Sequence, residues 1–168
     1  MGGRPTKVGR PLFLCAARYH PAAMSKSPPP PEDVTLRRAR RDDIDPLAAF
    51  LEPFVEARQV LPRTADELFY LIPTGFVAEA GGRVVGFASL EIYSHKLAEI
   101  RSLSVAEAVR GRGVASRLIN ACVDLAREKG VYEVLAVTAR DDLFRRCGFD
   151  HSLPDQKRAL FLQTRAEP

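Results

Sequence analysis

Apolar and polar residues alternate through 34–38, the period-two pattern of an opening strand. Asp42 or Asp43 can then cap a helix running to about Phe54, with Pro46 tolerated in its first turn. Thr64 and Glu67 stand at capping-box spacing ahead of Leu68, Phe69, Leu71 and Ile72. Two apolar runs, 76–80 and 83–90, flank Gly81-Gly82 and predict a hairpin. Residues 98–105 read as a further strand. Beyond them Val114, Leu118, Cys122, Leu125 and Ala126 form an apolar stripe at helical spacing, ended by Gly130. A buried strand over 131–137, a short helix over 141–147 stopped by Gly148, and a last strand over 159–163 complete the pattern. Hairpin-paired strands come first and helix–strand alternation follows, so the predicted class is mixed α/β. There is no internal repeat.

Composition changes this picture at one end. Seven of the 13 prolines fall in residues 1–31, ending in Pro28-Pro29-Pro30-Pro31. Such a segment can neither pair as strand nor propagate as helix, so it is expected to be a disordered tail with a stiff spacer before a single domain at 32–168. It also holds Arg4, Lys7, Arg10, Arg18 and Lys26 and no acid, leaving 20 basic against 21 acidic residues from position 32 onward. The net charge of +4 is therefore a property of the tail, and no nucleic-acid partner is expected. A transit peptide is a superficial match, without an amphipathic stripe or a cleavage pattern, and Met24 offers an alternative start. No apolar run approaches the roughly 20 residues that cross a bilayer. Cys15, Cys122 and Cys147 are odd in number and widely spaced, and the three histidines are scattered, which predicts a reduced, cytoplasmic setting and no metal.

The chemistry concentrates between the 98–105 strand and the helix after it. Gly111 and Gly113 let the backbone turn tightly and approach a ligand, and the first amides of the helix then point outward into its positive dipole end. Arg110, Arg112 and Arg117 add charge. Together these describe a pyrophosphate cradle, although the loop taken alone also suits a basic helix N-terminus on the surface. It has no Lys-Ser/Thr pair of a Walker motif and does not match the dinucleotide fingerprint.

Arg110-Gly111-Arg112-Gly113-Val114-Ala115 resembles the Arg/Gln-x-x-Gly-x-Gly/Ala signature of the GNAT acetyltransferases. Leu103-Ser104-Val105 resembles that family's fourth strand and Cys147-Gly148-Phe149 the end of its last helix, in order over roughly 34–165. The resemblance implies a mixed, mostly antiparallel sheet flanked by helices and splayed between its fourth and fifth strands to admit acetyl-CoA. It places the pantetheine arm along Leu103, Ser104 and Val105 and the pyrophosphate on the amides of Arg110, Gly111, Arg112, Gly113, Val114 and Ala115. Within the family the chain is most similar to the acetyltransferase domain of N-acetylglutamate synthases, the arginine-pathway enzymes. That similarity rests on Val60-Leu61-Pro62-Arg63-Thr64, on Lys96-Leu97-Ala98-Glu99, and on 153–161 with Arg165. It implies that Arg63, Lys96 and Arg165 hold the carboxylates of glutamate, as a dicarboxylate needs two cationic partners. Glu167 departs from the branch, which has a hydroxyl residue there. No kinase-like regulatory domain accompanies the sequence, so arginine feedback of that kind is not expected.

The family transfers acetyl directly to an amine that must first lose its proton, and Glu99 matches its strand-four glutamate as the base. A structural carboxylate paired with Lys96 or Arg101 is the alternative for the same residue. Phe144 stands where many relatives carry the tyrosine that protonates the thiolate, and Cys147 reads as packing. The expected partner is a small-molecule amine, with room for a homodimer. Two other readings stay open: acetylation of a protein N-terminus or lysine, and a non-catalytic module that binds acetyl-CoA.

Overall fold

The structure is a computed structural model that describes residues 34–150. The predicted tail, the predicted 159–163 strand and Arg165 lie outside the described residues. Strands β1 (Val34–Arg38), β2 (Gly75–Ala80), β3 (Arg83–Ile92), β4 (Leu97–Val105) and β5 (Glu133–Leu135) form one sheet in that order. The first three pairings are antiparallel and β4–β5 is parallel. The β2–β3 hairpin turns at Gly81 and Gly82, as the sequence predicts.

Strand alternation sorts the side chains onto two layers. Ala88, Leu90, Ala98 and Ile100 face α3 (Val114–Glu128), whose Val114, Leu118, Cys122, Leu125 and Ala126 are buried, so the predicted stripe is its core face. Val77 and Phe87 face the other way, against Leu47 and Leu51 of α1 (Ile44–Glu56) and Leu68 and Leu71 of α2 (Ala65–Leu71). At Gly86 α3 packs closely on β3. A Cβ there would lie 3.1 Å from both Ala78 Cβ and Leu118 Cδ1. That approach seats the start of α3 directly behind β4.

Two local expectations are modified. Thr64 caps α2 as predicted, accepting from the Glu67 amide at 3.2 Å while the Thr64 amide donates to Glu67 at 2.8 Å. Asp43 occupies the N-cap position of α1 but makes no side-chain cap bond. Its carboxylate turns back to Arg37 Nη1 and Nη2, both at 2.8 Å, and to the Arg40 amide at 2.6 Å, closing a 3-10 turn over Arg41–Asp43. The predicted 131–137 strand shrinks to three residues. Val131 is taken by the end of α3, its amide donating to Ala126 O at 2.9 Å, so pairing starts two residues later.

Candidate active site

The sheet opens between β4 and β5. They pair only at Leu97↔Glu133, Ala98↔Val134 and Glu99↔Leu135. From Ile100 to Val105, β4 has β3 on one side and no strand on the other among the described residues. The β3–β4 ladder also shifts register between Phe87 and Ser89, where Ser102 takes a φ of 55°. This bulge lies three residues beyond the last β4–β5 pair and bends the bared edge. Ser102 Oγ and Ser104 Oγ are buried there without a hydrogen-bond partner among the described residues.

β4 leads through a 3-10 turn at Glu107–Val109 to the glycine loop and α3. Gly111 and Gly113 adopt φ of 72° and 77°, and Gly113 is the N-cap of α3 with no side-chain cap. The first-turn amides of α3 have no carbonyl in a preceding turn to bind, so the helix presents donors and a positive dipole end beside the bared edge. Two of the three arginines assigned to this charge are turned to structural use. Arg110 Nε donates to Val105 O at 3.1 Å, and Arg117 Nη1 donates to Val34 O at 3.1 Å. Arg112 is exposed and forms no side-chain bond among the described residues. With Arg110 and Arg117 engaged in holding the fold, the first-turn amides of α3 are, beside Arg112, the donors left at the loop.

Glu99 is the β4 residue of the last β4–β5 pair, at the apex of the opening. Its register partner on β3 is Glu91, and both carboxylates project to the α1–α2 side of the sheet, opposite the Ile100 and Leu90 side chains. Like charges placed opposite one another on paired strands repel. Arg101 offsets them, with Nη1 2.6 Å from Glu91 and 3.7 Å from Glu99. Tyr93 joins the group, its hydroxyl donating to Glu99 Oε2 and accepting from Arg101 Nη1 at 3.2 Å.

The acetyltransferase (GNAT) family profile matches residues 42–149, which spans this opening, the loop and the helix. The chain belongs to the GNAT family. An uncharacterised N-acetyltransferase of Chlorobaculum tepidum is 32% identical to it over 120 residues, 71% of this chain and 77% of that protein. An amino-acid acetyltransferase of Mycobacterium tuberculosis is 26% identical over 117 residues, 68% of this chain and 67% of that protein. The N-acetylglutamate synthase of Neisseria gonorrhoeae, solved with coenzyme A and N-acetyl-glutamate, superposes with a TM-score of 0.61 at 26% identity. That match covers 67% of this chain and 27% of the synthase.

The GNAT frame locates the remaining predicted residues. Arg63 precedes the Thr64 cap and lines a groove of about 450 Å³ between α1 and α2 with Glu52 and Glu56. Its Nη1 lies 3.9 Å from Glu67, and its Nε is buried without a hydrogen-bond partner among the described residues. Lys96 is exposed in the β3–β4 turn. Arg63 and Lys96 thus sit on separate elements, and Arg165 lies outside the described residues. Phe144 is buried in α4 (Asp141–Arg146), edge-on to Phe149, as an aromatic packing residue. Burial raises the pKa of Cys147, outweighing a hydrogen bond with Ser116 and the charge of Arg146, so the thiol is a poor nucleophile near neutrality. Glu91 and Tyr93 were absent from the sequence-derived site. The signal for them is parity, since Glu91, Tyr93, Glu99 and Arg101 fall with Ser89 on one strand face, visible once the hairpin register is known. Among the described residues no cluster of His, Cys, Asp or Glu could hold a metal, and no helix is long and apolar enough to cross a membrane.

Proposed function

We propose that the chain transfers acetyl from acetyl-CoA to the amine of a small amino acid, with glutamate as the acceptor. The observation that carries the proposal is the bared β4 edge running into an uncapped helix start with Gly113 in the left-handed region. The fit to acetyl-CoA is good on the protein side. An extended amide chain needs the backbone donors and acceptors that Leu103, Ser104 and Val105 offer, and a pyrophosphate needs the amides from Arg110 to Ala115. Ser102 and Ser104 add two hydroxyls in need of partners. When bound, acetyl-CoA supplies an activated thioester.

The remaining tasks fall to the chain. Glu99, at the apex, takes the proton from the acceptor ammonium, directly or through one water. Its Oε2 is held by Tyr93 while Oε1 has no partner among the described residues. With Phe144 in place of a hydroxyl donor, the departing thiolate takes its proton from solvent. Arg63, Lys96 and Arg165 fix the acceptor carboxylates, as in the synthase resemblance. The amino-acid acetyltransferase and the synthase among the relatives support this choice of acceptor.

One observation favours a second acceptor class. Arg63 shares its groove with Glu52 and Glu56, and the apex holds Glu91 and Glu99 around Arg101. This excess of carboxylates suits a cationic acceptor such as a peptide amine or lysine. Incubating the full chain with acetyl-CoA and glutamate, glutamine, lysine, a polyamine and an N-terminal peptide, with mass spectrometry of products, separates the two. Glutamate is expected to react fastest. Arg165→Ala should raise its KM roughly 10–150-fold, the cost of one charged hydrogen-bond partner, with acetyl-CoA binding unchanged. Equal rates with glutamate, glutamine and the polyamine would overturn the dicarboxylate site and leave the transferase standing.

A further inference from the structure

Tyr93 lies just past the end of β3, where its amide donates to Leu97 O at 3.0 Å and so belongs to the hairpin rather than to a free loop. Its hydroxyl touches both the Glu99 carboxylate and the Arg101 guanidinium. Arg101 is in turn fixed by Glu91 at 2.6 Å. The chain Glu91–Arg101–Tyr93–Glu99 therefore ends on a single carboxylate oxygen, Oε2. The other oxygen, Oε1, has no partner among the described residues.

We infer that Tyr93 is a positioning residue for Glu99, holding the carboxylate by Oε2 at the apex of the opening so that Oε1 faces the acceptor amine. The inference rests on the reading of Glu99 as the base. A glutamate carboxylate on three rotatable bonds samples several orientations, and a hydroxyl anchored on both sides restricts them. Burial raises the pKa of the Tyr93 phenol, and the bond to Glu99 raises it further, so the hydroxyl remains a proton donor throughout the neutral range. Burial works against the charge on Arg101, but the Tyr93 bond and the two glutamates outweigh it and keep the guanidinium cationic. Among the described residues, the other charged or titratable groups at this end of the sheet are His95 and Lys96 in the turn, Tyr132, whose amide donates to His95 O at 3.0 Å, and Glu133 on β5, all exposed. From the helix side come Glu52, Glu56 and Arg63.

The test is Tyr93→Phe in the full chain, assayed with the best acceptor of the amine panel beside Glu99→Gln. Tyr93 is half exposed, so the variant keeps its ring and its fold. Loss of the anchor should lower kcat roughly tenfold while KM for acetyl-CoA stays the same. Tyr93 donates to the ionised form of the base, so its loss should move the acidic limb of the pH–rate profile to higher pH. Glu99→Gln should lose both the rate and the limb. Wild-type kcat and profile in Tyr93→Phe, or a lower kcat with an unmoved limb, would overturn the positioning role alone. A wild-type rate in Glu99→Gln would remove the base and the inference with it. No acetylated product from any amine would overturn the transferase reading itself.

Discussion

Gly113 shows what one residue contributes. Its φ of 77° is the turn that sends the chain from the 110–113 loop into α3, and a β-branched residue in that region costs about 1–2 kcal/mol. Gly113→Val should therefore lower Tm by roughly 3–8 °C yet leave the domain folded. The larger loss should appear in calorimetry with acetyl-CoA, where binding is expected to vanish because the first-turn amides no longer converge. Unchanged affinity would show that the cofactor binds elsewhere. The glycine spacing made this loop legible in the sequence, since few residues other than glycine accept that backbone. The directions of the arginines were not legible. Nothing local says that Arg110 folds back on Val105 O or that Arg117 reaches β1 at Val34 O, because both partners are supplied by tertiary packing. Cys122 is a similar case of context. Its place in the helical stripe predicted burial, and burial pushes the thiol up to about 12, which makes it inert chemically.

At the scale of elements, Arg37 on β1 ties two neighbours to the strand, the start of α1 through Asp43 and β2 through Glu79 at 2.8 Å. The Arg37 hydrogen bonds hold the Asp43 carboxyl below its usual pKa against the opposing effect of burial, with the Arg40 amide assisting. A depressed folded-state pKa means stability that is present above the unfolded value of about 3.9 and lost as pH falls through the folded one. Asp43→Asn should accordingly destabilise the protein by about 1.5–3 kcal/mol at pH 7. Melting curves of the two proteins should converge as pH drops below about 4. A constant difference down to pH 3 would assign the loss to packing instead. The sequence showed Asp43 beside a helix start but not Arg37 as its partner, since a cap and an ion pair use the same residue types. The same limit applies to β5. Residues 131–137 look uniformly strand-like, and only the docking of α3 shows that Val131 closes a helix and that pairing with β4 stops after Leu135.

Across the whole molecule, charge and prolines divide the chain more sharply than hydrophobicity does. The near-neutral part from position 32 contains both cores, and the family match begins at residue 42. We propose that 32–168 is the folding unit, so that deleting residues 1–31 should leave turnover and Tm nearly unchanged. A large fall in Tm on truncation would mean that the tail docks on the domain. The opening of the sheet has a further consequence. A strand with one side unpaired is a template on which another chain can grow, and proteins usually blunt such borders with charge, proline or a covering loop. Here the bared stretch of β4 is Ile-Arg-Ser-Leu-Ser-Val, with a bulge and a single charge to discourage a stray neighbour. A pantetheine arm lying along it would meet its unclaimed hydrogen bonds much as a sister strand does. The metabolite that feeds the reaction would then also guard the protein against self-association, and the concentration of acetyl-CoA would govern solubility as well as rate.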